Sequence, residues 1–237
     1  MRTTVLPWIT LILSLTFAGA PFVTPPFQGF DGDQLPIPQD SPPIEPAGYA
    51  FAIWGLIYLW LILSALYGLR ARRDDPAWTE PRVWLSASLL LGTPWLWVAQ
   101  NSAIWASVLI VLMAGTALMA AKRAPVWDRW VLLAPVSVYA GWLTAASFVS
   151  VASTLAGYGI ILDASGWAWV GIPAALATAV AVQLWLGKAP EYGITVCWAL
   201  VAVVVQNWDA RMALALLAAA GVIVVGATSA RIARRPA

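Results

Sequence analysis

The chain has 237 residues, of which 61% are apolar and 10% are charged, with a mean hydropathy of +0.79. A soluble domain carries about 25% charged residues, so this inventory cannot cover a water-facing surface, and the chain reads as an all-α integral membrane protein. The formal net charge of +2 offers no footprint for nucleic acid, and one lipid-embedded bundle accounts for the whole length without a soluble domain.

Charge-free apolar windows predict a polytopic bundle of about eight transmembrane helices, at about 4–22, 49–69, 83–99, 102–121, 130–153, 165–187, 192–208 and 212–230. Arg2, the apolar run and Ala18-Gly19-Ala20 also have the look of a secretory signal. Pro21 after the would-be scissile bond favours a retained span, and cleavage would leave seven helices. The segment 23–48 carries Asp31, Asp33, Asp40 and Glu45, no basic residue, and prolines at 25, 26, 36, 38, 42 and 43 that preclude regular helix. It reads as a solvated outside connection, with a lid over an outward-facing cavity as the alternative.

The next span opens with Phe51, Trp54 and Tyr58 at i, i+3 and i+7, one stripe of a helix, preceded by Pro46 and Tyr49. The stretch from Val83 to Ala121 is too long for one crossing, and Pro94 with Gln100-Asn101 divides it into two helices and a turn. Beyond it, Tyr139, Trp142 and Ala146 share a helix face, with Ala145, Ser147 and Ser150 small enough for close approach. That helix is expected to reach about Ser153, with a connection through Gly157 and Gly159. Three further spans follow, and the Gly- and Ala-rich stretch from Gly221 to Gly226 would suit a homodimer.

Alternating the loops puts Arg2, Arg70, Arg72, Arg73, Arg82, Lys122, Arg123, Arg129, Lys188, Arg231, Arg234 and Arg235 on one side and leaves Arg211 alone on the other. By the positive-inside rule both termini are then cytoplasmic, in what is expected to be a bacterial inner membrane. Of the 16 tryptophans, Trp8, Trp78, Trp84, Trp127, Trp130, Trp167 and Trp208 sit near span ends and read as interfacial anchors. Trp54, Trp60 and Trp142 lie further inside, where an indole N–H needs a partner, and are better candidates for a pocket.

At these residues the sequence resembles the translocator family of tryptophan-rich sensory proteins, the TspO/MBR group. That family's second helix carries a proline and then F-x-x-W-x-x-x-Y, matched by Pro46, Phe51, Trp54 and Tyr58. Gln100, Asn101 and Trp105 resemble the Q…N…W pattern of its third helix with altered spacing, and Tyr139, Trp142 and Ala146 match Y-x-x-W-x-x-x-A of its fifth. The resemblance covers about residues 4–153. It implies a translocator-like five-helix unit over 1–153, with 154–237 as three additional transmembrane helices and a short basic tail. It also implies a cavity for porphyrins or sterol-like molecules, with roles in transport or sensing. The family's W-Y…K-P first-loop signature is absent from 23–48.

Histidine is absent and Cys197 is the one cysteine, so the usual imidazole base, the common haem and zinc ligands and disulfide frameworks are all excluded. A porphyrin would be held by stacking and hydrogen bonds, as a bound ligand and not a required cofactor. A sterol pattern can be drawn through Leu63, Tyr67 and Arg70. Asp74-Asp75 reads as a solvated loop, and Asp128, Asp163, Glu191, Asp209 and Arg211 all fall at span ends, which weighs against a proton relay. Gln183 and Gln206 could serve a neutral solute, and no nucleophile-and-base set is visible, so the chain does not read as an enzyme.

The expected function is binding of a hydrophobic ligand by Tyr49, Phe51, Trp54, Tyr58, Asn101, Tyr139 and Trp142, with no metal site. The expected partners are the lipid bilayer and that ligand. The alternatives are a structural or partner-binding membrane subunit and a transporter of a small neutral solute.

Overall fold

The computed structural model describes residues 5–25, 27, 29–30 and 34–234; Arg2, Asp31, Asp33 and Arg235 of the sequence reading lie outside these. Among the described residues there is no strand. The helices are α1 (Leu6–Gly19), α2 (Ile53–Ala71), α3 (Pro76–Gly92), α4 (Trp95–Asn101), α5 (Ala103–Arg123), α6 (Ala134–Gly157), α7 (Ala164–Leu186), α8 (Pro190–Asn207) and α9 (Met212–Ala233). A 3-10 turn, Gly48–Ala52, leads into α2, and a single π-helical turn, Arg129–Leu133, leads into α6. With those turns included, α2, α5, α6, α7 and α9 are each long and apolar enough to cross a membrane.

Local chemistry sets the boundaries. Asp75 caps α3 by accepting the Ala77 amide at 2.9 Å, with Pro76 at the first helical position, so this helix begins seven residues before the predicted span. The early start carries Glu80 and Arg82 into the helix. Glu80 pairs with Arg123 of α5, and Arg82, almost fully buried, donates to the carbonyls of Gly68, Arg72 and Arg73. Pro94 interrupts the expected third span between α3 and α4, because its nitrogen has no hydrogen to donate. Asp163 caps α7 through the Gly166 amide, and Gly187 ends it at φ +71°, a left-handed C-cap suited to glycine.

The centre of the bundle is α6, eighteen of whose 24 residues are buried, packed against α2, α5, α7 and α8. Its small residues permit this. A β-carbon at Gly141 would stand 2.5 Å from the Tyr192 carbonyl oxygen of α8. Hydroxyls join it to α5, where Ser107 bonds Ser150 at 2.8 Å and Thr154 at 2.9 Å. In α9, Gly221 admits Leu176 of α7 and Gly226 faces Cys197 of α8, so the glycine stripe is used inside the chain.

Hydrogen bonds sort the connections onto two ends. At the basic end Arg72 meets Asp128, Arg129 meets Glu191, and Lys188 reaches the carbonyls of Lys122 and Ala124. At the loop end the segment before α2 is tied down: Gln34 donates to the Ala99 carbonyl, the Ile37 amide to Gly157, the Ala47 amide to Ala202, and Asn207 to the Pro43 carbonyl. The expectation of a solvated connection there is corrected. Leu35 and Ile44 are buried against α6 and α7, at the points where Gly157 and Gly171 leave room for them.

Trp78 is a second correction. It is not an interfacial anchor but one of the most deeply buried side chains, its Nε1 donating to Asp128 at 2.8 Å with Arg82 over its ring. Trp8, Trp127, Trp130 and Trp208 are exposed on the bundle, as anchors would be.

Candidate functional site

Beneath the covering loop lies a cavity of about 440 Å³. The 3-10 turn and α2 bring Tyr49, Phe51, Trp54 and Tyr58 to its wall, and α6 contributes Trp142, Ala146, Val149, Ser150 and Ser153. Helical geometry explains the second set. From Trp142 to Ser153 is three turns with almost no rotation, so these residues line one face for about 16 Å.

The aromatic rings support one another. Trp54 stacks on Tyr58 at 5.3 Å and 16°, and meets Trp142 edge-on at 6.1 Å. Phe51 meets the other side of Trp142 at 5.8 Å. Phe17 of α1 presents edges to Trp54, Tyr58 and Tyr139. Close approach of Phe17 depends on Gly92, where a β-carbon would collide with its ring.

Five of the seven predicted residues, Tyr49, Phe51, Trp54, Tyr58 and Trp142, line the cavity together. Tyr139 stands behind them, fully buried, its hydroxyl hydrogen-bonded to Ser88 at 3.0 Å, and so buttresses the wall without lining it. Asn101 is not brought to the cavity. It ends α4, exposed, donating to the Trp97 carbonyl at 2.7 Å, while only the start of that helix, Trp95 and Leu96, meets the cavity. Trp60 is also outside, stacked on Trp130 with its Nε1 on the Trp130 carbonyl. Gln183 is not free for a solute: it accepts the Gly193 amide and donates to the Ala189 carbonyl inside the α7–α8 contact.

Sequence reasoning missed three parts of the wall. The covering loop supplies Phe27, Gly29, Phe30, Ile44 and Glu45. Helix α4 supplies Trp95, whose Nε1 is spent on the Ala106 carbonyl. Helices α7 and α8 supply Ile172, Leu176, Val196 and Leu200, which nothing in the sequence distinguishes from lipid-facing residues. The one available signal was Glu45, an acid directly before Pro46 and the aromatic stripe.

The wall is apolar except at a few points, and of these Trp95, Thr144 and Ser150 are hydrogen-bonded within the protein. Trp142 Nε1 and Ser153 Oγ are buried with no hydrogen bond. Glu45 lies against the Cα of Gly29, where φ is +134° and a β-carbon would stand 3.2 Å from Oε1. Burial pushes its carboxyl up to about 7, and the nearby Ser153 hydroxyl, outside hydrogen-bond geometry, offsets this only in part. Among the described residues no cluster of acids, histidines or cysteines could hold a metal ion.

A bundle that is all-helical among the described residues, with five apolar helices of spanning length, defines an integral membrane protein, and an aromatic cavity lies under its loop. The chain belongs to the family of TSPO-like proteins, whose pattern it matches over residues 9–230. The match runs past Ser153 and takes in α7 and α8 and most of α9. Neither the curated proteins nor the solved structures contain a match to the chain.

Proposed function

We propose that this protein is a membrane-embedded sensory or translocator-like receptor that holds a hydrophobic small molecule, tetrapyrrole or sterol-like, in the aromatic cavity. One observation carries the reading: Trp142, whose buried indole N–H has no partner within the protein, is a residue of the wall of a 440 Å³ apolar cavity. Leaving such a donor unmet costs about 1–3 kcal/mol, which an acceptor on a bound molecule recovers. Five aromatic residues from one turn and two helices supply the stacking surface around it.

The same reading has the chain crossing the membrane eight times in a bacterial inner membrane with both termini cytoplasmic. A translocator-like unit runs to about residue 153 and three spans follow it. The segregation of basic side chains at one end of the bundle supports that orientation.

The test is a titration of the full-length protein in detergent with protoporphyrin IX and, separately, with a sterol, following tryptophan quenching. Saturable quenching by either, weakened in Trp54→Ala and Trp142→Ala variants that stay folded by circular dichroism, supports the proposal. Linear, non-saturable quenching by both would overturn it.

A further inference from the structure

The cavity's few polar groups specify the head group it accepts, an inference that rests on the hydrophobic-ligand reading above. Glu45 lines the cavity, and no lysine or arginine is found among the described residues of the wall. Arg211, at the same end of the bundle, belongs to a separate crevice beside Asp163 and Pro42. A ligand carboxylate inside would therefore meet a carboxyl and no counter-charge. Its desolvation would go uncompensated.

A protonated amine meets the opposite situation. The carboxylate of Glu45 can accept from it, and the rings of Phe27 and Phe30 line the same loop-side wall. At the other end of the α6 face, about 16 Å away, Trp142 Nε1 offers a single donor and no acceptor. We infer that the cavity selects a hydrophobic amine, its cationic nitrogen at Glu45 and its apolar body reaching toward Phe51, Trp54 and Trp142, in preference to carboxylate-bearing molecules. Of the two ligand classes named above, a tetrapyrrole with free carboxylates is the poorer match.

Three probes sharing one hydrophobic body isolate the head group: 1-pyrenemethylamine, 1-pyrenemethanol and 1-pyrenecarboxylic acid. Each is titrated into the full-length protein in a neutral detergent at pH 8, following energy transfer from tryptophan to pyrene and subtracting partition into empty micelles. The amine should bind about tenfold more tightly than the alcohol, the worth of one charge-assisted hydrogen bond, and the acid more weakly than either. Glu45→Gln should remove the amine's advantage over the alcohol, with circular dichroism and saturable binding of the alcohol reporting that the variant is folded. An acid binding as tightly as the amine to the unaltered protein, or an amine preference that survives Glu45→Gln, would overturn the inference while the hydrophobic-ligand reading stands. No saturable binding of any of the three would overturn both.

Discussion

At the basic end of the bundle each buried charged side chain has a partner. Asp128 receives Arg72 and Trp78, Glu191 receives Arg129, and Arg82 is spread over three carbonyls. Along the cavity and up to the loop end, Trp142 Nε1 and Ser153 Oγ have none, and Glu45 leans on a glycine Cα. Both ends are closed by contacts between distant parts of the chain, yet at the basic end the charges are saturated and only single atoms such as Glu191 Oε2 and Tyr192 Oη go unmet, whereas at the other end the unmet groups belong to the wall of a cavity. Saturation suits a region whose task is to stay folded; open valences are useful only where something else can fill them.

Breaking the saturated end should therefore cost stability and spare binding. Trp78→Ala removes a fully buried ring together with its bond to Asp128, and is expected to lower stability by about 3–5 kcal/mol in thermal or denaturant unfolding in detergent. The protein that remains folded should keep its ligand affinity. Gly141→Val acts on the seam that joins the two ends, where α6 meets the α8 backbone, and should cost about 1–3 kcal/mol through overpacking in the same assay.

The loop end should respond in the opposite sense. Trp142→Phe deletes the unmet donor together with part of the ring, so stability should fall by about 1–2 kcal/mol while ligand affinity falls roughly five- to tenfold in the quenching titration. A large loss of stability with unchanged affinity would mean that Trp142 belongs with the saturated end.

The smallest effect separates the ends by pH. The Glu45 carboxyl is raised from 4.5 to about 7 by burial, so the folded protein holds a proton that the unfolded chain has released. Its contribution to closure of the loop is full below 4.5 and is lost as pH rises through about 7. Asp128 is the reverse case: the Arg72 guanidinium holds its carboxyl below the ordinary carboxylate range, so its contribution is present at neutral pH and is lost as pH falls through the lowered value. Hydrogen exchange at Ile37 and Ala47, whose amides tie down the loop, should quicken beyond the intrinsic rate between pH 4.5 and about 7 and level off above. Amides near Asp128 should show no such excess over that interval.

Much of this architecture was legible in the sequence, because a membrane span needs only an apolar run of sufficient length and the runs fall where α1, α2 and α5 to α9 lie. The stripe Phe51, Trp54, Tyr58 and the later Trp142 were legible too, since side chains repeating along one helix face must meet the same neighbour. What failed depended on partners far along the chain. Trp78 looks like an interfacial tryptophan until Asp128, fifty residues later, is seen to receive its N–H. Asn101 looked like a cavity residue because nothing in its spacing tells that only the start of the helix carrying it meets the cavity. The loop looked solvated because its prolines are visible in sequence while the glycines that receive Leu35 and Ile44, at 157 and 171, belong to other helices.

The wall's debt to α7 and α8 bears on how the protein is made. A chain synthesised from its N-terminus threads α6 into the bilayer before Leu176, Val196 and Leu200 exist to flank it. Until then the serine and threonine hydroxyls of α6 that do not face α5 have only lipid or the translocation machinery for company. The binding chamber is thus a product of the last third of translation, and a nascent chain arrested near Ser153 would hold the aromatic stripe without an enclosure around it.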